Sequence, residues 1–243
     1  MKNYNLQKQF QDLQFDEPTH TYTVKGKKLK SVTTIIKDNF TRPFESFFIS
    51  RAVSEKYAKD GIDVDQKVVE TYWNYISDFA KAYGTLIHYY AEQMPNFMPP
   101  KYKAEESVIK FYDEIIKDKE QIVAKELRCY FKNTAGTVDF ITADENGLII
   151  RDYKTSKDIL KSYGKLRWYF KEFDDCQLNA YTIQLLIYKY LIEEATGIRA
   201  YKLEIVKLSD DGYEIHPINR NIAELFNYLI VFDDEFYEII NNL

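Results

Sequence analysis

Three β-rich runs in the middle of the chain constrain its fold more than any other feature. They read QIVAKELRCYF (121–131), GTVDFITAD (136–144) and GLIIRDYKT (147–155). Each is dense in β-branched and aromatic residues, and the last two flank the turn Glu145-Asn146-Gly147, which reads as a hairpin. Glu126 precedes Asp139 by thirteen residues and Asp139 precedes Asp152 by thirteen, a spacing consistent with three adjacent strands.

Helical patterns surround this cluster. The segment 20–34, HTYTVKGKKLKSVTT, reads as a β-hairpin with a Gly-containing turn, and helical composition follows Pro43. A longer helix is predicted over 66–93, ended by Pro95, Pro99 and Pro100. In it Val69, Tyr72, Trp73, Ile76, Phe79, Ala80, Tyr83, Ile87 and Tyr90 recur at steps of three and four, which predicts one buried face. Another helix is predicted over 103–117. Downstream of the strands come an irregular connection, a helix over about 174–195 closed by Gly197, two late strands, and one terminal helix. Without repeats or Gly/Ser linkers, the 243 residues read as one domain, an α/β sandwich of layers.

Charge narrows the function classes. Lys and Arg number 33 against 38 Asp and Glu, so bulk cationic attraction to nucleic acid is excluded and any such role must be local. Two cysteines are too few for a disulfide framework, a four-cysteine zinc site or a four-cysteine iron–sulfur cluster. The first residues lack a signal-peptide core and no apolar run reaches spanning length, so a soluble, cytoplasmic protein without membrane contact is expected.

The residues that can carry chemistry sit on the strands. Asp152 and Lys154 alternate with Tyr153, so both project to one face while the tyrosine points away, and the hairpin brings Asp139 beside them. Such a cluster repels or desolvates itself unless a cation or a substrate anion completes it, and hard divalent metals take oxygen ligands of this kind. The plain alternative is a turn-capping Asp139 and a surface Asp152–Lys154 pair. Gly84, His88 and Glu92 share a helix face at steps of four, as do Gln177 and Tyr181; each set could equally be a packing or polar edge. His20, His216, Cys129 and Cys176 lie outside these groupings and read as structural.

Taken in order, GTLIH, KEL, GTVDF, DYKTS and QLNAY resemble the motifs of the RecB-like branch of the PD-(D/E)xK nuclease superfamily, notably its phage-type exonucleases and the mitochondrial genome maintenance exonuclease. The likeness runs over about 15–191. It implies a restriction-endonuclease-like core, a central mixed β-sheet flanked by helices, preceded by a β-hairpin and a helical region. It implies a metal-dependent deoxyribonuclease using Mg²⁺ or Mn²⁺, and departs from the cluster-bearing members in lacking their cysteines. His88, Asp139 and Asp152, with the main-chain carbonyl of Tyr153, would be metal ligands, and Lys154 the catalytic lysine. Glu126 would support the metal, its waters or Lys154, and Gln177 and Tyr181 would position substrate phosphate or that lysine. Thr155 and Ser156 could donate hydrogen bonds to a DNA phosphate.

From Lys154 to Lys171 the chain carries Lys157, Lys161, Lys165 and Arg167 against Asp158 alone, interleaved with Tyr163, Trp168, Tyr169 and Phe170. Cations beside aromatic faces suit unpaired bases; the alternative is a solvated loop whose aromatics fold onto the core. Single-stranded DNA processed from an end, in replication, recombination or repair, is the expected substrate. An endonuclease, an RNA-processing enzyme and a cleavage-inactive DNA-binding module remain open, as does a bacterial or phage-infected cell as the setting.

Overall fold

The computed structural model describes residues 4–94 and 99–243. Pro95, read above as a helix terminator, lies outside them. The chain begins with α1 (Leu6–Gln9) and the strands β1 (Leu13–Asp16), β2 (Thr21–Val24) and β3 (Lys27–Ser31), followed by α2 (Val32–Asn39), α3 (Ser46–Lys59), α4 (Gln66–Gln93) and α5 (Lys103–Lys117). The second half holds β4 (Gln121–Phe131), β5 (Thr134–Ala143), β6 (Leu148–Lys154), α6 (Gln177–Thr196), β7 (Ala200–Ser209), β8 (Gly212–Pro217), α7 (Arg220–Phe232) and α8 (Asp234–Asn241). It is a mixed α/β fold whose eight-stranded sheet is flanked by helices, consistent with a restriction-endonuclease-like core.

The strand path is β1-β2-β3-β5-β6-β7-β8, with β4 pairing β5 along its whole length. Because β4 takes one edge of β5, the other edge is shared: β3 runs parallel to its start at Thr134 and Ala135, and β6 runs antiparallel to its end from Phe140 to Ala143. Between those two contacts Gly136–Asp139 face a gap in the ladder. One layer of α1, α2, α6, α7 and α8 covers one face of the sheet over Val138, Ile150 and Ile205. The end of α4 and α5 cover the other over Phe140, Tyr153 and Val206. The sheet's interior also buries an ionic cluster, in which Arg151 donates to Glu120 and Glu204 at 2.7 Å and to Thr142 at 2.6 Å.

Three expectations are corrected. The hairpin ends at Ser31, whose Oγ accepts from Thr34 N at 3.1 Å and caps α2, so the β-branched run VTT starts a helix. The terminal helix is two, because the Asp233 side chain accepts from Phe236 N at 2.8 Å and begins α8 anew. Most consequentially, α4 does not bury one continuous face. Of the nine periodic residues, only Val69, Ile87 and Tyr90 are buried, while Tyr72 and Phe79 are 62% and 65% exposed. The sheet ends beneath the last turns of α4, and the rest projects with α3 as a helical arm. That arm is tied by polar contacts, Ser50 Oγ donating to Glu70 at 2.8 Å and Gln66 Nε2 to Ser50 Oγ at 3.0 Å.

Candidate active site

The gap beside Gly136–Asp139 opens into a cleft of about 480 Å³. Its lining includes His88 and Glu92 from α4, Glu126 from β4, Asp139 from β5, Asp152 and Lys154 from β6, and Gln184 and Tyr188 from α6. On β6 the contribution follows from alternation. Tyr153 packs its ring against Phe111 and Phe140 on the α5 face, which turns its neighbours Asp152 and Lys154 toward α6. The splay of β5 from β6 past Phe140–Arg151 leaves the Tyr153 N–H without a strand partner, and it donates to Asp139 Oδ2 at 2.6 Å instead.

His88 reaches the same point from the opposite layer. Its Nε2 lies 3.1 Å from the Tyr153 carbonyl and its Nδ1 lies 3.6 Å from Asp139 Oδ2. Nε2–H donates to that carbonyl, and Nδ1 is the ring nitrogen turned toward Asp139. His88, Glu126 and Asp139 each offer a ligand atom within 4.8 Å of the others. The buried Asp152 Oδ2 accepts no hydrogen bond of good geometry from the described residues, although the Lys154 ammonium sits 2.5 Å away. One imidazole nitrogen and several converging carboxylate oxygens suit a hard divalent cation, and no cysteine is among them.

The electrostatics agree. Burial, then Asp139, Glu92 and Asp152, push the Glu126 carboxyl up to about 8. Burial outweighs the Lys154 ammonium and holds Asp152 above the ordinary carboxylate range. Lys154 is itself held above its usual value: burial favours the neutral amine, but Asp152, Asp139 and the remaining contacts outweigh it. Carboxyls crowded beyond what one lysine can neutralise are a cation's counterpart. Glu126 also carries a φ of 47°, a left-handed conformation within a strand. That strain turns its side chain to the pocket between the pairs Lys125–Phe140 and Leu127–Val138.

The remaining predicted residues divide. Tyr181 reaches the site, its ring 4.5 Å from Lys154 Nζ and its hydroxyl 3.3 Å from Ser156 Oγ. Thr155 follows β6 and would lie 3.4 Å from a Cβ placed on Gly84. Gln177 does not line the cleft and is exposed in the first turn of α6. In its place stands Gln184, whose Nε2 lies 3.2 Å from Asp152 Oδ1 and 3.1 Å from the Tyr188 hydroxyl. A second Gln-x-x-x-Tyr, QLLIY, follows QLNAY by seven residues. The signal that finds it is a lone glutamine inside the otherwise apolar run Ile183–Ile187, where a buried amide demands a partner. His20 is also among the residues lining the cleft, its ring edge-on to Phe15 with centroids 5.0 Å apart.

Of the basic and aromatic connection, Lys157 and Lys161 are exposed, Trp168 is 50% exposed, and Lys161 Nζ lies 5.4 Å from the Tyr163 ring. Lys165 instead pairs with Asp174 at 2.9 Å, and Arg167 donates to the Asp38 carbonyl at 3.2 Å. Phe170 is in the core and Tyr169 donates to Asp233 at 3.0 Å, so part of the aromatic track folds inward. No described helix is long and apolar enough to cross a membrane.

No family model matches the chain, and no curated protein matches it. Among solved structures, it is similar to the protein SSO0001 at 15% identity and a TM-score of 0.38, over 94% of this chain and 84% of that one. It is similar to a candidate exonuclease from Eubacterium rectale at 11% identity and a TM-score of 0.33, over 83% and 70% respectively.

Proposed function

We propose that the protein is a divalent-metal-dependent nuclease that hydrolyses phosphodiester bonds in DNA, with a preference for unpaired strands entered from an end. The observation that carries this reading is the convergence of His88, Glu126 and Asp139 within 4.8 Å of one another, beside a buried Asp152–Lys154 pair. A bound Mg²⁺ or Mn²⁺ would supply Lewis acidity and a water acidified toward hydroxide. His88, Glu126, Asp139 and Asp152 are the residues to hold it, with the Tyr153 carbonyl at the same point.

The chain's own groups account for the rest. Lys154, kept cationic by Asp152, offsets charge that develops on the phosphoryl oxygens and orients the attacking water. Gln184 holds Asp152 in one orientation through Oδ1, leaving Oδ2 to Lys154. Tyr181 covers Lys154 and restricts its side chain. Thr155 and Ser156, where β6 ends, stand where hydroxyls can donate to a phosphate.

The test is hydrolysis of end-labelled linear and circular single strands with Mg²⁺ or Mn²⁺, in the parent and in Asp139→Ala and Lys154→Ala. The expected result is metal-dependent loss of the linear substrate, abolished in both variants. Cleavage that survives chelation, or either substitution, removes the proposal. Cutting of the circle would make the enzyme an endonuclease.

A further inference from the structure

A second cleft lies beyond the far end of α2, where the α2–α3 linker meets the connection after β6. Its lining includes Arg42, Phe44, Glu45, Tyr163, Arg167 and Asp175. The walls are built rather than draped. Arg42 N donates to Asp175 Oδ2 at 3.0 Å and its Nε donates to the Lys165 carbonyl at 2.8 Å. Arg167 N donates to the Phe40 carbonyl at 2.7 Å, and Tyr163 N and Asp175 N close a reciprocal pair at 2.9 Å with Asp175 O and Gly164 O. With its main chain held on both sides, Tyr163 nevertheless leaves its ring 70% exposed, and Phe44 across the cleft is 68% exposed. The cleft thus presents two aromatic surfaces, Tyr163 and a Phe44 ring steadied edge-on by Trp73 with ring centroids 5.6 Å apart.

The polar lining narrows the ligand. Two guanidinium groups and two carboxylates nearly cancel, so a bare phosphate gains little. A nucleobase presents donors and acceptors on its edges and two π faces, and it matches rings, guanidinium planes and carboxylates together. Position narrows it further. Thr33, at the start of α2, lines the first cleft and Arg42, just past its end, lines the second. α2, eight residues and about 12 Å long, separates the two, a span of roughly three to four nucleotides of a stacked strand.

We infer that this second cleft holds one unpaired base of the strand whose phosphodiester lies at the Asp139–Lys154 cleft. This rests on the nuclease reading and adds to it a stacking subsite on Tyr163 and Phe44, with Arg42 and Arg167 at the base edge.

The experiment uses the full chain and a fluorescein-labelled oligothymidylate of about ten nucleotides. Anisotropy without divalent metal compares the parent with Phe44→Ala/Tyr163→Ala and with Arg42→Ala. Rates with Mn²⁺ are then measured on that oligomer and on bis(p-nitrophenyl) phosphate, which is too short to reach the second cleft while its phosphorus lies in the first. The aromatic pair is exposed, so an unchanged Tm checks folding. Loss of two stacking faces should weaken strand binding about tenfold or more and lower kcat/KM on the oligomer to match. Hydrolysis of the small diester and binding of a duplex should stay within twofold. Strand binding within twofold of the parent overturns the inference, as does an equal loss on the duplex. A parent that binds the strand but cuts neither substrate removes the nuclease reading alone, because the metal-free comparison still decides the subsite.

Discussion

Two glycines beside the site should respond to alanine with opposite signs. A Cβ on Gly136 would lie 2.5 Å from Tyr188 Cε1 and 3.3 Å from Val32 Cγ2, both on the packed α6 and α2 side of the sheet. Neither neighbour has room, since Tyr188 is 3% exposed and Val32 is fully buried. Overpacking of this kind costs about 1–3 kcal/mol, which at about 2–4 °C per kcal/mol for a chain of this size lowers Tm by roughly 2–12 °C. The displaced Tyr188 hydroxyl is 3.1 Å from Gln184 Nε2, so the orientation of Asp152 should suffer too. Gly84 lies inside α4, and a Cβ there meets only Thr155 Oγ1 at 3.4 Å, an ordinary contact. Alanine should therefore recover the helix-interior preference of about 1 kcal/mol and raise Tm by roughly 2–4 °C. Thermal and urea unfolding of the metal-free protein measure both. Tyr188→Leu, by clearing the ring, should reduce the cost of Gly136→Ala to under about 1 kcal/mol. A Gly136→Ala protein that melts within about one degree of the parent would refute the close-contact argument, as would a cost unchanged by Tyr188→Leu.

Removing the Gln184 amide by Gln184→Leu should cut turnover by at least about tenfold with little change in KM, whereas Gln177→Ala should leave both within about twofold; steady-state kinetics on one oligonucleotide decide it. Glu126 and Asp152 are both raised on folding, so they favour the fold at low pH and that contribution is lost as pH rises through the folded values, about 8 for Glu126. Metal-free Tm should therefore fall between about pH 5 and 8, and the Tm gain from Mg²⁺ should grow over the same range, an outcome that scanning calorimetry with and without chelator checks. Arg151→Met should cost about 1–3 kcal/mol in urea unfolding, because it leaves buried Glu120 with only the Thr142 hydroxyl and Glu204 with only Lys202.

The strand cluster and the faces of Asp152, Tyr153 and Lys154 were legible because alternation is a local property of a strand. So were the bounds of α4, where Asp65 caps the start by accepting from Lys67 N at 2.6 Å. What periodicity cannot say is whether a second layer exists to receive a face, and for this reason Tyr72, Ile76 and Phe79 were misread as buried. The same limit hid the parallel contact of β3 with Thr134 and Ala135, a pairing of residues more than a hundred positions apart that opens the gap for the site. Gln177 and Gln184 head the same spacing to a tyrosine, and besides the apolar run around Gln184 it is the turn of α6 toward β6 that distinguishes them.

The projecting arm has a mechanical consequence. At 28 residues α4 is about 42 Å long, and Lys125 clamps it at one end by donating to the carbonyls of Glu92 and Met94. His88 sits about 8 Å from that clamp and Gln66 about 40 Å from it. The arm therefore carries any load on α3 into the core at the turn that holds His88, because Ile87, Tyr90 and Ala91 around it are the residues of α4 that are buried after Val69.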